Sequence, residues 1–261
     1  MFKDLIGKTV IITGGNGFLG TQFTDAFLKN GSKVIVLDLK NNKKNKKKNF
    51  FYFDCDITKE KDVQKTFSII KKKFKKINVL INNAAIDSVP NKNNKTKQNA
   101  LEKFDINNWN KEIEVGLTGA LICTKYFGSF MSKQKNGGVI LNISSDLGIV
   151  APDQSIYKKT NFIKPVTYSV IKHGIIGLTK YTASYWGKEN VRCNTIAPGG
   201  MKSDKRKMDS NFIKDREKTI PLKRMATLNE YNDLVLFLCS KSSSYITGAT
   251  ISADGGRTIV R

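Results

Sequence analysis

The stretch Thr9-Val10-Ile11-Ile12-Thr13-Gly14-Gly15-Asn16-Gly17-Phe18-Leu19-Gly20 leads from a β-branched run into a cluster of glycines near the start of the 261-residue chain. The run Thr9–Ile12 is typical of a buried parallel strand. Apolar residues then recur at helical spacing from Phe18 to Leu28, and Asn30-Gly31 is expected to end that helix. A strand, a glycine turn and a helix therefore follow one another directly.

Within this stretch, Gly14, Gly17 and Gly20 have the spacing of a turn that binds a pyrophosphate. Backbone without Cβ atoms can turn sharply and approach phosphate closely, and the start of the following helix carries a partial positive charge. The flanking strand and helix are the context that such a site requires. A purely structural turn is the alternative. We predict that a dinucleotide cofactor is bound here by Thr13, Gly14, Asn16, Gly17, Phe18, Leu19 and Gly20.

Asp38 ends the next predicted strand, Val34–Leu37. A carboxylate at this place can accept hydrogen bonds from both hydroxyls of the adenosine ribose, and it would repel a 2′-phosphate. The residue therefore favours NAD over NADP, although the lysines from Lys40 onwards could neutralise a phosphate. A turn residue at the end of a strand is the alternative interpretation.

Strands and helices are expected to alternate along the rest of the chain. Further strands are predicted at Phe50–Phe53, Val79–Ile81, Val139–Ile143, Val191–Ile196 and Ala249–Ser252, and further helices at Val63–Phe74, Trp109–Met131, Thr167–Trp186 and Leu228–Leu238. This alternation implies right-handed βαβ crossovers and predicts an α/β Rossmann fold, a doubly wound parallel sheet with helices on both faces. No linker divides the chain, so residues 1–261 are predicted to form a single domain.

The chain is strongly basic, with 45 Lys and Arg against 22 Asp and Glu and a net charge of +23. Such a charge raises nucleic-acid binding as a hypothesis. However, the lysine- and asparagine-rich segment 40–49 has no aromatic residue on which a base could stack. We interpret this segment, and a similar one at 91–99, as solvated surface with a smaller role in attracting an anionic substrate or cofactor. No nucleic-acid partner is predicted.

Other features of the composition narrow the function further. No apolar stretch reaches the roughly 20 residues that span a bilayer, and the N-terminus lacks the pattern of a signal peptide. No membrane partner is therefore predicted, and a cytoplasmic location is expected. The four cysteines are far apart and are expected to be buried thiols, while His173 is a lone histidine on a predicted helix. No metal site is predicted.

The segment Tyr168-Ser169-Val170-Ile171-Lys172 places a tyrosine and a lysine on one face of a predicted helix. A tyrosine with an ordinary pKa of about 10 exchanges protons poorly at neutral pH, and a neighbouring ammonium group favours its phenolate form. The pair could therefore exchange a proton with a carbonyl or alcohol oxygen while hydride moves to or from a nicotinamide.

Together these motifs resemble the short-chain dehydrogenase/reductase family along nearly the whole chain. The matching pieces are Thr13–Gly20, Asp56-Ile57, Asn82-Asn83-Ala84-Ala85, Ser144-Ser145, Tyr168 with Lys172, Pro198-Gly199 and Asp254-Gly255-Gly256. The resemblance implies an NAD(P)-dependent oxidoreductase that interconverts a secondary alcohol and a ketone. It also implies a homo-oligomer, a dimer or tetramer, built through the two helices predicted at Trp109–Met131 and Thr167–Trp186.

The resemblance further implies a role for each matching residue. Ser145 would orient the substrate oxygen, Tyr168 would be the general acid/base, and Lys172 would hold the nicotinamide ribose and lower the pKa of the tyrosine. Five more residues would line the adenine pocket or pass beneath the cofactor, namely Asp56, Ile57, Asn83, Ala84 and Ala85. Pro198 and Gly199 would contact the nicotinamide side. For Ser144 and Asn82 we expect a structural role.

Three features depart from the family pattern. The glycine turn is more similar to that of the family's extended branch, for whose substrate domain the chain is too short. Gly116 takes the place of an asparagine that usually holds a water molecule in the proton relay. This raises the alternative that the chain is a catalytically impaired dinucleotide-binding regulatory or partner protein. A glycine that merely permits a bend is the other explanation.

The third departure is the spacing of 23 residues from Ser145 to Tyr168, about ten longer than usual. We call residues 151–166 the insertion and expect it to lie over the active site. Its polar residues and lysines suit a polar, phosphorylated or acidic small-molecule substrate. A loop used in subunit packing is the alternative. The combination resembles a subgroup associated with flagellin glycosylation and surface-polysaccharide biosynthesis, which suggests a sugar, sugar phosphate or sugar nucleotide.

Overall fold

A computed structural model of the chain describes residues 1–39, 47–90, 99–160, 162–202 and 207–260. The strands within these ranges form one parallel sheet in the order β3-β2-β1-β4-β5-β6-β7. They are β1 Thr9–Thr13, β2 Lys33–Asp38, β3 Phe50–Asp54, β4 Val79–Asn82, β5 Gly138–Ile143, β6 Val191–Pro198 and β7 Thr250–Ala253. The chain winds in opposite directions from β1, so the predicted doubly wound fold is confirmed.

The helices connect consecutive strands. They are α1 Phe18–Lys29, α2 Glu60–Phe74, α3 from Ile106 to Ser132, α4 Val166–Trp186, α5 Ser210–Lys218 and α6 Asn232–Cys239. Helix α3 alternates α and π geometry through its consecutive segments Ile106–Ile113, Glu114–Thr118 (π), Gly119–Cys123, Thr124–Gly128 (π) and Ser129–Ser132. Short 3₁₀ turns lie at Lys3–Leu5, Leu101–Lys103, Asp146–Gly148, Gln154–Tyr157, Gly187–Glu189, Leu228–Tyr231, Lys241–Ser243 and Arg257–Ile259.

Apolar side chains pack on both faces of the sheet. On one face, Phe23 and Phe27 of α1 and Val235 of α6 join the same buried cluster as alternate residues of β1 and β2. On the other face, α2, α3 and α4 contribute to a second cluster, with Ile70 and Phe127 fully buried in it. Strands covered on both faces read as continuous apolar runs, which is why β1 and β2 were recognisable in the sequence.

The predicted elements are all present, with small differences at their ends. Helix α3 begins at Ile106, three residues before the predicted start, where Asp105 caps it by accepting a hydrogen bond from the N–H of Asn107. Helix α5 was not predicted, because only Phe212 and Arg216 of its nine residues are buried and its apolar period is weak.

The lysine-rich segments, the cysteines and the lengths of the helices were also subjects of prediction. Residues 40–46 and 91–98, predicted as solvated surface, lie outside the described residues. All four cysteines are buried free thiols, as expected, and burial raises the pKa of Cys193 and Cys239 to about 12. Within the described ranges, none of the helices is long and apolar enough to cross a membrane.

Candidate active site

The carboxyl ends of β1 to β6 open onto a cavity of about 650 Å³. This is the edge of a doubly wound sheet at which ligands bind, because the loops that leave neighbouring strands diverge there. Most of the predicted site residues line it, namely Gly14, Asn16, Gly17, Phe18, Leu19, Asp38, Asp56, Ile57, Asn83, Ala84, Ala85, Ser145, Tyr168, Lys172, Pro198 and Gly199. Thr13 and Gly20 do not line it and lie behind its wall.

The glycine turn after β1 is tightly packed against its own backbone. A Cβ atom on Gly20 would lie 2.1 Å from the carbonyl oxygen of Gly14, and Gly14 itself has a positive φ of 62°. Neither position accepts a side chain without a shift of backbone atoms. The turn therefore brings bare backbone and the N-terminus of α1, which begins at Phe18, to the cavity.

Thr13 and Asn83 tie the glycine turn to the loop after β4. The hydroxyl oxygen of Thr13 accepts hydrogen bonds from the N–H groups of Asn83 and Ala84, at 3.0 and 3.1 Å. The Asn83 amide nitrogen donates in return to the carbonyl oxygens of Thr13 and Gly14, at 3.0 and 3.1 Å. Thr13 thus supports the cavity from within the core, where it is 1% exposed.

The carboxylate of Asp38 is fixed at the end of β2. Its Oδ2 accepts a hydrogen bond from the Asn16 N–H and its Oδ1 accepts one from the Leu39 N–H, each at 2.9 Å. The side chain therefore links the second strand to the glycine turn and lines the same cavity. A carboxylate has capacity for further donors beyond these two, such as a pair of ribose hydroxyls.

Asp56 and Ile57 follow β3 at the far end of the same cavity. Burial opposes ionisation of Asp56, but hydrogen bonds from Thr58 and the nearby Lys59 outweigh it and hold the pKa of the carboxyl below its usual value. The pair therefore offers a charged group beside an apolar side chain, and Ile57 is 7% exposed.

Tyr168 and Lys172 meet on the first turns of α4. The Lys172 Nζ lies 5.5 Å from the centre of the Tyr168 ring and donates a hydrogen bond to the Ile143 carbonyl oxygen at 2.8 Å. Burial lowers the pKa of Lys172 to about 8, a shift that Asp87 opposes and Lys164 reinforces. A lysine with such a pKa gains and loses a proton close to neutral pH.

Ser145 lies at the end of β5 and borders the same cavity as Tyr168. Its hydroxyl donates to Asp146 Oδ1 at 2.8 Å and accepts from the Leu147 N–H at 3.2 Å. The neighbouring Ser144 instead donates to the carbonyl oxygen of Lys172 at 2.7 Å and so binds β5 to α4. Ser144 is therefore structural, as expected from the sequence.

Asn82 also has the expected structural role. Its amide nitrogen donates to the Asn142 side-chain oxygen at 2.8 Å and to the Thr124 hydroxyl at 3.1 Å, and all three residues are buried. His173 is exposed, and its Nδ1 lies 2.9 Å from the Ser169 carbonyl oxygen on the same helix. It does not line the cavity.

Comparison with known proteins assigns this architecture to a family. A family model described as enoyl-(acyl carrier protein) reductase matches residues 17–258. A 3-oxoacyl-(acyl carrier protein) reductase of Aquifex aeolicus is 30% identical over 264 residues, which cover 97% of this chain and 98% of the relative. The chain belongs to the short-chain dehydrogenase/reductase family. The chain is thus an oxidoreductase of a family whose members act on alcohols and ketones. The predicted resemblance to this family is confirmed.

Further members of the short-chain dehydrogenase/reductase family share the whole length of the chain. A 2,5-dichloro-2,5-cyclohexadiene-1,4-diol dehydrogenase of Sphingobium indicum is 28% identical over 99% of this chain and 100% of the relative. Among solved structures, a short-chain dehydrogenase of Leptospira borgpetersenii with bound NAD⁺ superposes with a TM-score of 0.84 at 30% identity, covering 98% of this chain and 94% of that one. A ligand-free aldohexose dehydrogenase of Thermoplasma acidophilum has a TM-score of 0.84 at 27% identity, covering 100% and 98%.

The cavity of this short-chain dehydrogenase/reductase fits a nicotinamide dinucleotide. Side chains on Gly14 or Gly20 would collide with the backbone of Ala84 or of the turn itself, so glycine at both positions keeps the tight turn that bounds the cavity. A helix N-terminus faces the place of the phosphates, and Asp38 supplies an acceptor at the end of β2. The nicotinamide dinucleotide, when bound, supplies a hydride donor or acceptor. Lys172 and Tyr168 would border it at the opposite end of the cavity.

Gly116, the main departure from the family pattern, lies in the first π segment of α3 and is buried. A Cβ atom at this position would lie 2.7 Å from Cγ2 of Ile171, which is itself 4% exposed. The space beside Gly116 is thus occupied by a branched side chain from α4, one residue before Lys172. A side chain that could hold a relay water has no room here.

The insertion, described except for residue 161, borders the space beside Tyr168 through Tyr157 and Lys164. Its 3₁₀ turn packs on α5, where the Tyr157 ring stacks on Phe212 with centroids 5.2 Å apart. Near its end, the Lys164 Nζ lies 3.7 Å from the centre of the Tyr168 ring. The insertion therefore forms one wall of the space in front of Tyr168.

Four charged residues near Ser145 and Tyr168 were not predicted from the sequence, namely Asp87, Asp146, Arg216 and Arg257. Asp146 directly follows the Ser144-Ser145 pair. A carboxylate just after a buried strand could therefore have been predicted from the sequence as a site residue. Arg216 lies on a helix that the sequence pattern did not reveal, so no signal pointed to it.

Proposed function

We propose that this chain is an NAD-dependent oxidoreductase that interconverts a secondary alcohol and a ketone on a polar, sugar-like substrate. The observation that carries the proposal is that Ser145, Tyr168 and Lys172 border one cavity with the glycine turn and Asp38. The residues that exchange a proton and the glycine turn that would hold a dinucleotide thus border the same cavity. The chain has the parts for hydride transfer coupled to movement of a proton.

In this proposal each residue of the reactive group has a separate task. Tyr168 exchanges a proton with the substrate oxygen, and Lys172 stabilises the phenolate by its charge and binds the nicotinamide ribose. Ser145 orients the substrate oxygen, which requires its hydroxyl to turn from Asp146 towards the substrate. The lowered pKa of Lys172, about 8, suits a group that passes protons near neutral pH.

The preference for NAD over NADP rests on Asp38. Its carboxylate would accept hydrogen bonds from the two ribose hydroxyls and would repel a 2′-phosphate at the same place. The bound NAD⁺ of the Leptospira borgpetersenii relative, at 30% identity, supports the same choice. NADP remains the less favoured cofactor in this proposal, because the lysines that follow Asp38 could neutralise a phosphate.

A sugar, sugar phosphate or sugar nucleotide is the proposed substrate class. Polar and charged residues of the insertion and α5 border the space in front of Tyr168, among them Lys164 and Arg216. The similar structure from Thermoplasma acidophilum is an aldohexose dehydrogenase, and this similarity supports a sugar-like substrate. A place in flagellin glycosylation or surface-polysaccharide biosynthesis stays a prediction from the sequence motifs, as does a cytoplasmic location.

Assembly into a dimer or tetramer is also part of the proposal. Apolar and aromatic side chains are exposed on α3 and α4, including Leu121 at 52%, Tyr181 at 67% and Tyr185 at 60%. The two tyrosine rings stack on each other with centroids 5.7 Å apart. Exposed apolar patches of this kind mark contact surfaces. Light scattering on the purified chain measures the state directly. Subunit packing is the alternative role for the exposed part of the insertion.

The second candidate function is a catalytically impaired dinucleotide-binding protein that regulates or partners another. The packing of Ile171 against Gly116 favours it, because the usual relay position cannot hold water there. The intact group of Ser145, Tyr168 and Lys172 favours the enzyme.

A substrate screen separates the two candidates. Purified protein is incubated with NAD⁺ or NADP⁺ and a panel of aldoses, sugar phosphates and nucleotide sugars, and the nicotinamide absorbance is followed. The same panel is run in the reverse direction with the corresponding keto sugars and NADH. Turnover with a member of the panel and NAD⁺ supports the enzyme. Tight NAD⁺ binding without turnover on any member, in either direction, would favour the impaired protein.

A further inference from the structure

A second, smaller cavity of about 70 Å³ lies beside the reactive group and shares Ser145 and Tyr168 with the cofactor cavity. Most of its remaining wall comes from the insertion, from α5 and from the loops that follow β4, β5 and β6. Because it borders Tyr168 but not the glycine turn, it belongs to the substrate side of the site. Its charged residues are the ones that the mechanism does not use.

Two buried guanidinium groups share a single carboxylate next to this cavity. Asp146 is 2% exposed and forms an ion pair with Nη2 of Arg216, and Nη1 of Arg257 lies 3.2 Å from the same carboxylate oxygen. Arg216 and Arg257 are 4% and 7% exposed. The Nε and Nη1 groups of Arg257 are not aligned on any hydrogen-bond acceptor in the described part of the chain. Burial accordingly lowers the pKa of Arg257, and Arg216 adds to the shift.

Lys164, in the insertion, is a third buried cation at or beside the cavity and lines it together with Arg216. It is 6% exposed, and its Nζ donates to Asp87 Oδ1 at 2.7 Å and to the Ser88 carbonyl oxygen at 3.0 Å. The same ammonium lies over the ring of Tyr168. Lys164 and Arg216 thus line the cavity beside the reactive tyrosine from two different elements of the fold.

The charges that the described residues place around the cavity do not cancel. Among the described residues that line it or pair with those that do, three are cations and two, Asp87 and Asp146, are carboxylates. Asp153 also acts on Arg257, but from an exposed position where solvent screens it. An unbalanced cation in a buried site is costly unless a ligand supplies the negative charge.

We propose that this cavity is an oxyanion subsite, in which Lys164 and Arg216 bind a carboxylate or phosphate group of the substrate and Arg257 supports their charge. The inference deepens the proposed function and rests on it. Since Ser145 and Tyr168 border the same cavity, the anionic group lies close in the substrate to the carbon that is oxidised or reduced. The substrate class is therefore a sugar acid or sugar phosphate rather than a neutral sugar.

The experiment is calorimetric titration of the NAD⁺-saturated protein with inorganic phosphate and, separately, with acetate. Saturating NAD⁺ keeps phosphate away from the glycine turn. The wild type is expected to bind at least one anion at one site per chain, and the two titrations distinguish phosphate from carboxylate. Arg216→Met and Lys164→Met should each weaken binding about ten- to hundredfold, the value of a charge-assisted hydrogen bond.

The variants are chosen so that folding does not obscure the result. Arg216→Met leaves Asp146 paired with Arg257, and thermal unfolding checks that the variant is folded. Arg216→Lys retains the charge if the methionine variant fails to fold, and it should bind anions more weakly than the wild type because the guanidinium geometry is lost. Arg224→Met is the matched control, since Arg224 pairs with Glu230 at the surface, and it should bind as the wild type does.

Either of two results would overturn the inference. The first is that neither phosphate nor acetate binds to the NAD⁺-loaded wild type. The second is that the variants at Arg216 and Lys164 bind the anion as tightly as the wild type does. A loss in Arg224→Met as large as in Arg216→Met would point to general surface charge instead. Failure of the protein to bind NAD⁺ would refute the proposed function itself, so the two failures are distinguishable.

Discussion

Replacement of Gly116 by alanine tests whether the departure from the family pattern is explained by packing. The added Cβ atom would lie 2.7 Å from Cγ2, 3.2 Å from Cδ1 and 3.5 Å from Cγ1 of Ile171. Ordinary contacts between carbon atoms begin near 3.5 Å, so the first two are overlaps. Ile171 is buried and cannot turn away into solvent. Gly116→Ala should therefore destabilise the protein by about 1–3 kcal/mol, the usual cost of overpacking.

Shortening Ile171 should relieve that overlap. Ile171→Ala alone removes three buried carbon atoms and is expected to cost about 2–4 kcal/mol. In the double variant the new methyl at position 116 occupies part of the vacated space, so the overlap that costs the single variant about 1–3 kcal/mol is relieved. The double variant should therefore lose at least about 1 kcal/mol less than the sum of the two single variants.

Equilibrium urea unfolding of the four proteins at one pH gives the coupling free energy between positions 116 and 171. Gly128→Ala with Ile171→Ala is a matched pair on the same two helices, and its effects are expected to be additive because the new Cβ would meet Trp186 and Ile140 rather than Ile171. Additive losses for Gly116 and Ile171, or a stable Gly116→Ala single variant, would refute the packing explanation. The missing relay side chain would then need another cause.

Three further predictions concern the cofactor cavity and Lys172. Asp38→Asn should weaken NAD⁺ binding by about 1–2 kcal/mol and reduce the preference over NADP⁺, measured by calorimetry, because it removes a charged acceptor. Gly20→Ala should abolish NAD⁺ binding, measured by fluorescence titration, since its Cβ would lie 2.1 Å from the Gly14 carbonyl oxygen. The pKa of Lys172 is lowered to about 8 in the folded protein from an ordinary value of 10.5. The unfolded chain therefore keeps Lys172 protonated to a higher pH than the folded protein does, so the free energy of unfolding should rise with pH from about 8 to 10.5. Lys172→Met should remove that rise, as measured by urea unfolding.

Each of these predictions has a matched control. Asp54→Asn, at the end of the neighbouring strand, should leave NAD⁺ affinity unchanged, and an equal loss in both variants would contradict the role of Asp38. Gly187→Ala meets nothing within 4 Å and should bind NAD⁺ normally. Lys180→Met, an exposed position on α4, should retain the rise of stability with pH. A flat pH profile in the wild type would contradict the burial argument for Lys172.

Local patterns were enough to predict the sheet and the cofactor cradle. The buried strands β1 and β2 are apolar on both faces, and the glycine turn follows directly from β1, so periodicity and turn chemistry report them. The spacing of Tyr168 and Lys172 likewise needs only one helix. These features depend on residues that are close in the sequence.

Contacts between distant segments could not be predicted in this way. Asp146, Arg216 and Arg257 come from three separate parts of the chain, and only the folded structure brings their charges together. The space beside Gly116 is filled by Ile171 from another helix. Neither feature has a local sequence period, and both lie next to the reactive group.

The central claim is that Tyr168 exchanges the proton in an NAD-dependent oxidation or reduction. The most direct test compares wild-type protein, Tyr168→Phe and Tyr181→Phe on the substrate that the screen identifies, with NAD⁺ affinity measured in parallel. Tyr168→Phe should keep its affinity for NAD⁺ and lose about 10²- to 10⁴-fold in turnover, the usual contribution of a general acid/base. Tyr181→Phe, exposed on the same helix, should behave as the wild type. Normal turnover in Tyr168→Phe would contradict the account.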